Sequence, residues 1–144
     1  MWTPGQTLGP YTHSITREEL VRYAGASGDF NPIHYDDERA REFGLPGVIA
    51  HGMLNMGLIA RYLGEAAPPG ARFEEYRVRF RAMVRPKDQI VVTGRVLDVE
   101  TDRGRCRATV EVSLTTGDGV TAVSGQAVMS WAEATGEGDE HGNA

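Results

Sequence analysis

The fold of this chain is decided by the stretch His51-Gly52-Met53-Leu54-Asn55-Met56-Gly57-Leu58-Ile59-Ala60-Arg61-Tyr62-Leu63. Its apolar side chains recur at helical spacing and fall on nearly every side of the predicted helix. A helix that is apolar all round is normally buried or wrapped by other elements. We predict that it begins near His51 and Gly52, and that Gly64 and the turn residues Pro68-Pro69-Gly70 end it.

After this helix the periodicity changes to two, which is typical of half-buried strands. Tyr76, Val78 and Phe80 alternate with arginines at positions 77, 79 and 81. Further strands are predicted over residues 90–99, 106–114 and 120–131, with hairpin-turn residues at 102–104 and 117–119. The pattern predicts an α+β fold, in which a curved antiparallel sheet wraps around the central apolar helix. Because its edges need cover, we also expect a dimer that joins two sheets.

Two shorter helices are predicted before the central one. Thr16-Arg17-Glu18-Glu19 is a capping-box sequence, and apolar residues follow on one helical face, so a helix is expected from about Thr16 to Ala26. Asp36 is the N-cap candidate of the next helix, which Gly44 and Pro46 should close.

Composition and charge limit the classes of protein to which the chain can belong. Its 144 residues suit one domain, expected over 1–132, followed by a disordered acidic tail over 133–144. The formal net charge is -5, so no nucleic-acid binding is expected. A lone Cys106, the absence of an export signal and the lack of a long apolar stretch favour a cytoplasmic protein that does not span a membrane.

The joint between the first two helices carries the residues best suited to chemistry. Asp29 and His34 lie five residues apart on a segment that Gly28 and Pro32 force to bend. A carboxylate and an imidazole brought together in this way can hold a water and perform general acid–base catalysis. The structural alternative is that Asp29 caps a turn and His34 is an ordinary surface histidine. The bend and the apolar helix downstream favour the catalytic interpretation.

Gly52 stands at the predicted start of the apolar helix, where backbone N–H groups lack partners within the helix. Such an N–H could stabilise the charge that develops on a thioester oxygen, although Gly52 could equally serve tight packing. The neighbouring His51 is expected to have a structural role. No metal is predicted, because His34, Asp36, Asp37 and His51 match no zinc-ligand spacing.

The arginines at positions 77, 79 and 81 share one strand face, with Arg72 and Arg85 nearby. Arginine is well suited to bind phosphate. A solvated sheet face balanced by Glu74 and Glu75 explains the pattern equally well. No site is assigned from these residues.

The chain resembles the MaoC-like family, which includes R-specific enoyl-CoA hydratases and (3R)-hydroxyacyl-ACP dehydratases. The resemblance is carried by Tyr23-Ala24-Gly25-Ala26-Ser27-Gly28-Asp29-Phe30-Asn31-Pro32-Ile33-His34, by Ala50-His51-Gly52-Met53-Leu54 and by Glu75-Tyr76-Arg77-Val78-Arg79-Phe80. It implies a hotdog fold, in which Asp29 and His34 form the catalytic dyad and the Gly52 N–H is the oxyanion donor. It also implies that Asn31 orders the loop, with His51 among the substrate-binding or loop-ordering residues. Ala60 departs from relatives that carry a serine there.

The function that this resemblance implies is reversible hydration of trans-2-enoyl thioesters and dehydration of (3R)-3-hydroxyacyl thioesters, with an acyl-CoA or acyl-ACP substrate and no cofactor. A homodimer is expected, and a heterodimer with a related hotdog subunit remains open. Two alternatives remain: a hotdog thioesterase that uses Asp29 as its base, and a non-catalytic acyl-binding subunit of a heterodimeric dehydratase.

Overall fold

A computed structural model describes residues 1–135 as five strands, three α-helices and one short 3-10 helix. In chain order the elements are β1 (Thr7–Ser14), α1 (Arg17–Ser27), the 3-10 helix (Pro32–His34), α2 (Asp37–Glu42), α3 (Gly52–Ala66), β2 (Arg72–Phe80), β3 (Gln89–Asp102), β4 (Arg105–Thr116) and β5 (Thr121–Ala132). The strands form one antiparallel sheet in the order β1-β3-β4-β5-β2. The predicted α+β arrangement is therefore confirmed.

The hairpin between β3 and β4 follows directly from its turn residues. Arg103 and Gly104 both have positive φ angles, of 50° and 74°, as the two central residues of a type I′ turn require. This turn matches the right-handed twist of the flanking strands, so Asp102 pairs with Arg105 and the same register continues to Asp98 and Thr109, beyond which it shifts by one residue.

Helix α3 packs across the inner face of the sheet. Its buried apolar residues are Leu54, Leu58, Ile59 and Leu63, and they meet alternate buried residues of the strands, among them Ile90, Val92, Val96, Ala108, Val110 and Val112. The helix approaches β3 so closely that a Cβ on Gly94 would lie 3.3 Å from Leu63 Cδ2. The centre of the core is therefore the interface between α3 and one sheet face, and Ile15, Leu20 and Val48 extend it.

One expectation for α3 is wrong. The helix continues through Gly64 and ends at Ala66, because an exposed helical glycine lowers stability without stopping the hydrogen-bond ladder. Met53 near the start of the helix is 58% exposed, so the apolar residues of α3 are not all buried within this chain.

The N-terminal strand β1 is not predicted by the sequence pattern. Gly9 and Pro10 interrupt its alternation, and its pairing with β3 shifts register between Leu8 and Tyr11. Only Leu8 of this strand is buried. The strand forms because β3 offers it a free edge, which is a tertiary effect.

The caps of the first two helices are confirmed. The Thr16 hydroxyl accepts a hydrogen bond from the Glu19 N–H while the Glu19 carboxylate accepts one from the Thr16 N–H. The Asp36 carboxylate accepts hydrogen bonds from the first turn of α2, which ends at Glu42, two residues before Gly44.

The predicted acidic tail over 133–144 lies mostly outside the described residues, which end at position 135. Among residues 1–135, none of the helices combines the length and the apolar character that a bilayer crossing would require.

We expect Gly125→Ala to destabilise the protein by about 2 kcal/mol or more, because a Cβ there would overlap the Arg77 carbonyl oxygen and lie 2.7 Å from Val78 Cα. Both contacts are with β2 backbone, which cannot move without breaking its pairing with β5. Gly57→Ala is the matched control. It lies exposed on α3 with no atom within 4 Å of the added Cβ, so it should stabilise the protein by about 0.5–1 kcal/mol. Urea denaturation of the two variants measures both effects, and equal midpoints would contradict this packing.

Candidate active site

The segment after α1 is held in a series of tight hydrogen-bonded turns. Gly28 ends the helix in the left-handed conformation, with φ 75°. The Asp29 N–H donates to the Ser27 hydroxyl, and the Asn31 N–H donates to Asp29 Oδ1 at 3.2 Å. The Asn31 side chain then accepts a hydrogen bond from the Ile33 N–H and begins the 3-10 helix. The bend predicted from Gly28 and Pro32 is therefore present, and it holds the Asp29 carboxylate from one side.

The 3-10 helix turns His34 inward, where the residue is only 8% exposed. Its Nδ1 lies 2.7 Å from the carbonyl oxygen of Ile49. Because a carbonyl can only accept, Nδ1 carries the hydrogen and Nε2 of the neutral ring has a free lone pair. That Nε2 lies 3.7 Å from Asp29 Oδ2. Two acceptors at this separation can each receive one hydrogen of a single water molecule.

His51 connects this loop to the start of α3. It is 1% exposed, and its ring stacks on the His34 ring with centroids 3.7 Å apart and planes at 21°. Its Nε2 donates to the Asp29 carbonyl oxygen at 3.2 Å, and Tyr23 packs against its ring edge-on. Burial lowers the pKa of His51. The hydrogen bond to the Asp29 carbonyl and the charge of Asp29 raise it, but by less than burial lowers it. The structure thus places His51 where it contacts both members of the Asp29–His34 pair.

Gly52 is the first residue of α3, and the His51 side chain forms no capping hydrogen bond to the first turn. A Cβ on Gly52 would lie 3.2–3.4 Å from the ring of Phe80, which stands on the inner face of β2. The helix start therefore combines an uncapped N-terminus, which favours negative charge, with an aromatic wall. The sequence pattern predicts Phe80 only as an apolar strand residue.

A metal ion is a chemical alternative, because one ligand atom each from Asp29, His34 and His51 lies within 4.8 Å of the others. The lone pairs of an imidazole lie in the plane of its ring, however, and the two rings are stacked, so their lone pairs do not converge on one point. Asp36 caps α2, and Asp37 bonds Arg17 and the Val48 N–H. The geometry favours acid–base chemistry, and the absence of a metal stays a prediction.

The Ile49 carbonyl was not anticipated, because a main-chain oxygen has no sequence signature. Its effect on His34 arises from the crossing of two segments that are 15 residues apart. The site also lies open to solvent in the single chain. The Asp29 side chain is 51% exposed, and the cavities of about 690 and 340 Å³ in residues 1–135 are lined by other residues.

Comparison with known proteins shows which family this chain resembles. The profile of the MaoC like domain matches residues 2–118. The 3-hydroxybutyryl-CoA dehydratase of Methylorubrum extorquens is 34% identical over 116 residues, which cover 80% of this chain and 72% of the relative. The (R)-specific enoyl-CoA hydratase of Rhodospirillum rubrum is 36% identical over a segment that covers 56% of each protein. The crystallised (R)-hydratase of A. caviae has a TM-score of 0.82 at 27% identity, over 89% of this chain and 96% of that one. This similarity confirms the hotdog fold.

The lowered pKa of His51 makes stability depend on pH in a defined direction. In the unfolded chain this histidine binds a proton near pH 6.5, whereas in the folded protein it does so only at lower pH. The free energy of unfolding therefore does not vary with pH through this residue above pH 6.5, and it falls on acidification below that pH. We expect the free energy of unfolding to fall by up to about 1.4 kcal/mol per pH unit below pH 6.5 through this residue. His51→Gln keeps an N–H donor without the titration and should flatten the profile in urea denaturation at pH 7.5, 6.5 and 5.5. Identical slopes in both proteins would contradict the assignment.

Proposed function

This chain belongs to the MaoC-like domain family, and from that membership we propose that it catalyses the reversible hydration of trans-2-enoyl thioesters to (3R)-3-hydroxyacyl thioesters. The proposal is supported by the relatives, which are described as a 3-hydroxybutyryl-CoA dehydratase and an (R)-specific enoyl-CoA hydratase. It is carried by one observation, the 3.7 Å approach of His34 Nε2 to Asp29 Oδ2.

In the proposed reaction a water molecule lies between Asp29 and His34 and donates a hydrogen to each. One of the two groups removes a proton from the water as its oxygen bonds to C3 of the enoyl thioester. The carbon–carbon double bond opens, and its electrons move toward the thioester carbonyl as an enolate. The pair then delivers a proton to C2, which regenerates the carbonyl and completes the addition of water. Dehydration follows the same steps in reverse, because one transition state serves both directions.

The start of α3 is proposed to stabilise the enolate oxygen. A backbone N–H at Gly52 costs no reorganisation when negative charge develops, and the helix dipole favours that charge at the same place. The missing Cβ lets the substrate approach the backbone beside the Phe80 ring. Ala60, half-buried two turns further along α3, offers no hydroxyl, so oxyanion stabilisation is assigned to the backbone alone.

The proposed substrate is an acyl thioester of CoA or of acyl carrier protein, and the proposed active form is a homodimer. The dimer is supported by the strand β2, which pairs with β5 on one side and presents a free edge on the other. Phe73 and Phe80 of β2 and Met53 of α3 are exposed beside that edge. A heterodimer with a related subunit would use the same edge. The proposed location is the cytoplasm, in keeping with a single buried Cys106.

We expect Asp29→Asn and His34→Ala to lower kcat/KM for crotonyl-CoA by about 100-fold or more, because each removes a proton-transfer group. The measurement is the loss of enoyl absorbance together with titration of free thiol. Asp98→Asn, an exposed carboxylate on β3, is the matched control and should retain full activity. Release of thiol without hydration would instead identify a thioesterase. Full activity in Asp29→Asn would remove the dyad from the mechanism, and a folded wild type without any turnover would favour a non-catalytic subunit.

We expect sedimentation velocity to give about twice the chain mass of 15.7 kDa. Phe73→Glu should shift the protein toward the monomer, because it places a charge at the proposed β2 contact. Val120→Glu changes another exposed apolar residue, in the β4–β5 turn, and should leave the mass unchanged. A monomeric wild type at micromolar concentration, or equal effects of both variants, would contradict this interface.

A further inference from the structure

The outer face of the sheet, opposite α3, contains a trough of about 690 Å³ whose walls are arginines. Arg77 and Arg79 of β2, with Arg81 just after it, form one wall, and Arg95 of β3 forms the other. Strands β2 and β3 are separated by two others in the sheet, so their backbones lie about 14 Å apart. Arginine side chains are long enough to extend over the space between them. We call this feature the arginine trough.

The floor of the arginine trough is set by the strand register. One row runs across the sheet from Arg79 through Ser124 and Ser113 to Thr93, because each residue pairs with the next. Thr93 and Ser113 share a hydrogen bond of 2.8 Å between their hydroxyls, and Arg81 donates to the Ser124 hydroxyl at 2.6 Å. The floor is therefore a line of hydroxyl groups with guanidinium groups beside it.

The second row of the floor runs from Arg77 through Gln126 and Glu111 to Arg95. Glu111 is the single acidic residue among those that line the trough, against four arginines. Within residues 1–135, none of the four arginines has a carboxylate oxygen within 4.0 Å. The trough thus concentrates positive charge in a chain whose formal net charge is -5.

Clustering, rather than the lack of a carboxylate partner alone, distinguishes the arginines of the trough from the others in residues 1–135. Five of the other arginines lie within 4.0 Å of a carboxylate, namely Arg17, Arg22, Arg39, Arg61 and Arg72. The remaining five do not within the described part of the chain, but only the trough brings four arginines together around one cavity there.

Glu74, which could have balanced the trough, is held by Arg72 and Ser130 instead. Glu75 shares the outer face of β2 with these arginines, but in residues 1–135 it forms no ion pair with them within 4.0 Å. Apart from the hydrogen bond from Arg81 to Ser124, the guanidinium groups of the trough therefore remain available to bind an anion.

The trough is separate from the Asp29–His34 pair. The pair and the start of α3 lie on the inner side of the sheet, where the Phe80 ring meets Gly52. Arg79 and Arg81 flank Phe80 in the sequence and point to the opposite side, because side chains alternate along a strand. The sheet itself therefore divides the two regions, and a function of the trough does not depend on the proposed reaction.

We propose that the arginine trough is a binding site for a nucleoside phosphate. Guanidinium groups bind phosphate through paired, charge-assisted hydrogen bonds, and the serine and threonine hydroxyls on the floor of the trough can donate further hydrogen bonds. The flat guanidinium faces also stack on an aromatic base. The trough has a volume of about 690 Å³, which falls within the range of small-molecule sites. This volume is sufficient for a mononucleotide but too small for a folded protein domain.

Calorimetric titration of the 144-residue protein with ADP, inorganic pyrophosphate and adenosine at low salt tests this proposal. ADP should bind, pyrophosphate should bind more weakly, and adenosine should not bind measurably. Arg79→Gln and Arg95→Gln, which remove one arginine from each wall, should each weaken ADP binding about tenfold. Glu111→Gln should strengthen it, because the variant removes the acidic residue from the floor. Arg107→Gln, on the same sheet face outside the trough, should have no effect.

Several results would overturn the proposal. Absence of heat with ADP and with pyrophosphate would show that no phosphate site exists. Equal weakening by Arg107→Gln and Arg79→Gln would indicate diffuse surface charge. If ADP inhibits crotonyl-CoA hydration competitively, with an inhibition constant that Arg79→Gln leaves unchanged, the nucleotide binds elsewhere. Tight binding of a single-stranded RNA without binding of ADP would assign the arginines to a nucleic acid instead.

Discussion

The burial of α3 against the inner face of the sheet is the interaction on which the rest of the structure depends. Leu54, Leu58, Ile59 and Leu63 are removed from water only because the strands present alternate apolar residues to them. Neither side of this interface would be stable alone, because both the helix and the sheet face would then expose apolar side chains to solvent. Tyr76 adds a polar link at the edge, where its hydroxyl donates to the Met56 carbonyl at 2.6 Å and burial raises its pKa.

The candidate site is a consequence of the same interface. Packing fixes the N-terminus of α3, and the residue just before it, His51, then contacts both His34 and the Asp29 carbonyl. The segment that carries Asp29 is held in place by the buried ring of His51, whose position the core determines. This arrangement fixes the separation of the Asp29 carboxylate and the His34 ring while leaving Asp29 open to solvent. The burial that lets His51 support this loop also lowers its pKa, so its protonation would cost stability.

The two faces of the sheet have different roles for a simple geometric reason. Alternation sends one set of side chains to the core and the other to the outside. The inner set, which includes Phe80, supports α3 and the site, whereas the outer set is free to vary without loss of packing. The arginines at 77, 79 and 81 belong to that outer set, and the register brings Arg95 to the opposite side of the same trough.

The sequence by itself determined the elements that rest on short-range interactions. The capping box at Thr16, the N-cap at Asp36, the helix beginning at Gly52 and the turn at Arg103-Gly104 all act within about four residues, so their signals can be read locally. The bend that carries Asp29 and His34 was predictable for the same reason. Only the tertiary structure decided that β1 adds to the edge of β3, that the Ile49 carbonyl fixes the hydrogen on His34, and that one side of α3 stays exposed. These features join atoms far apart in the chain, and their distances are set by packing, which no local pattern encodes.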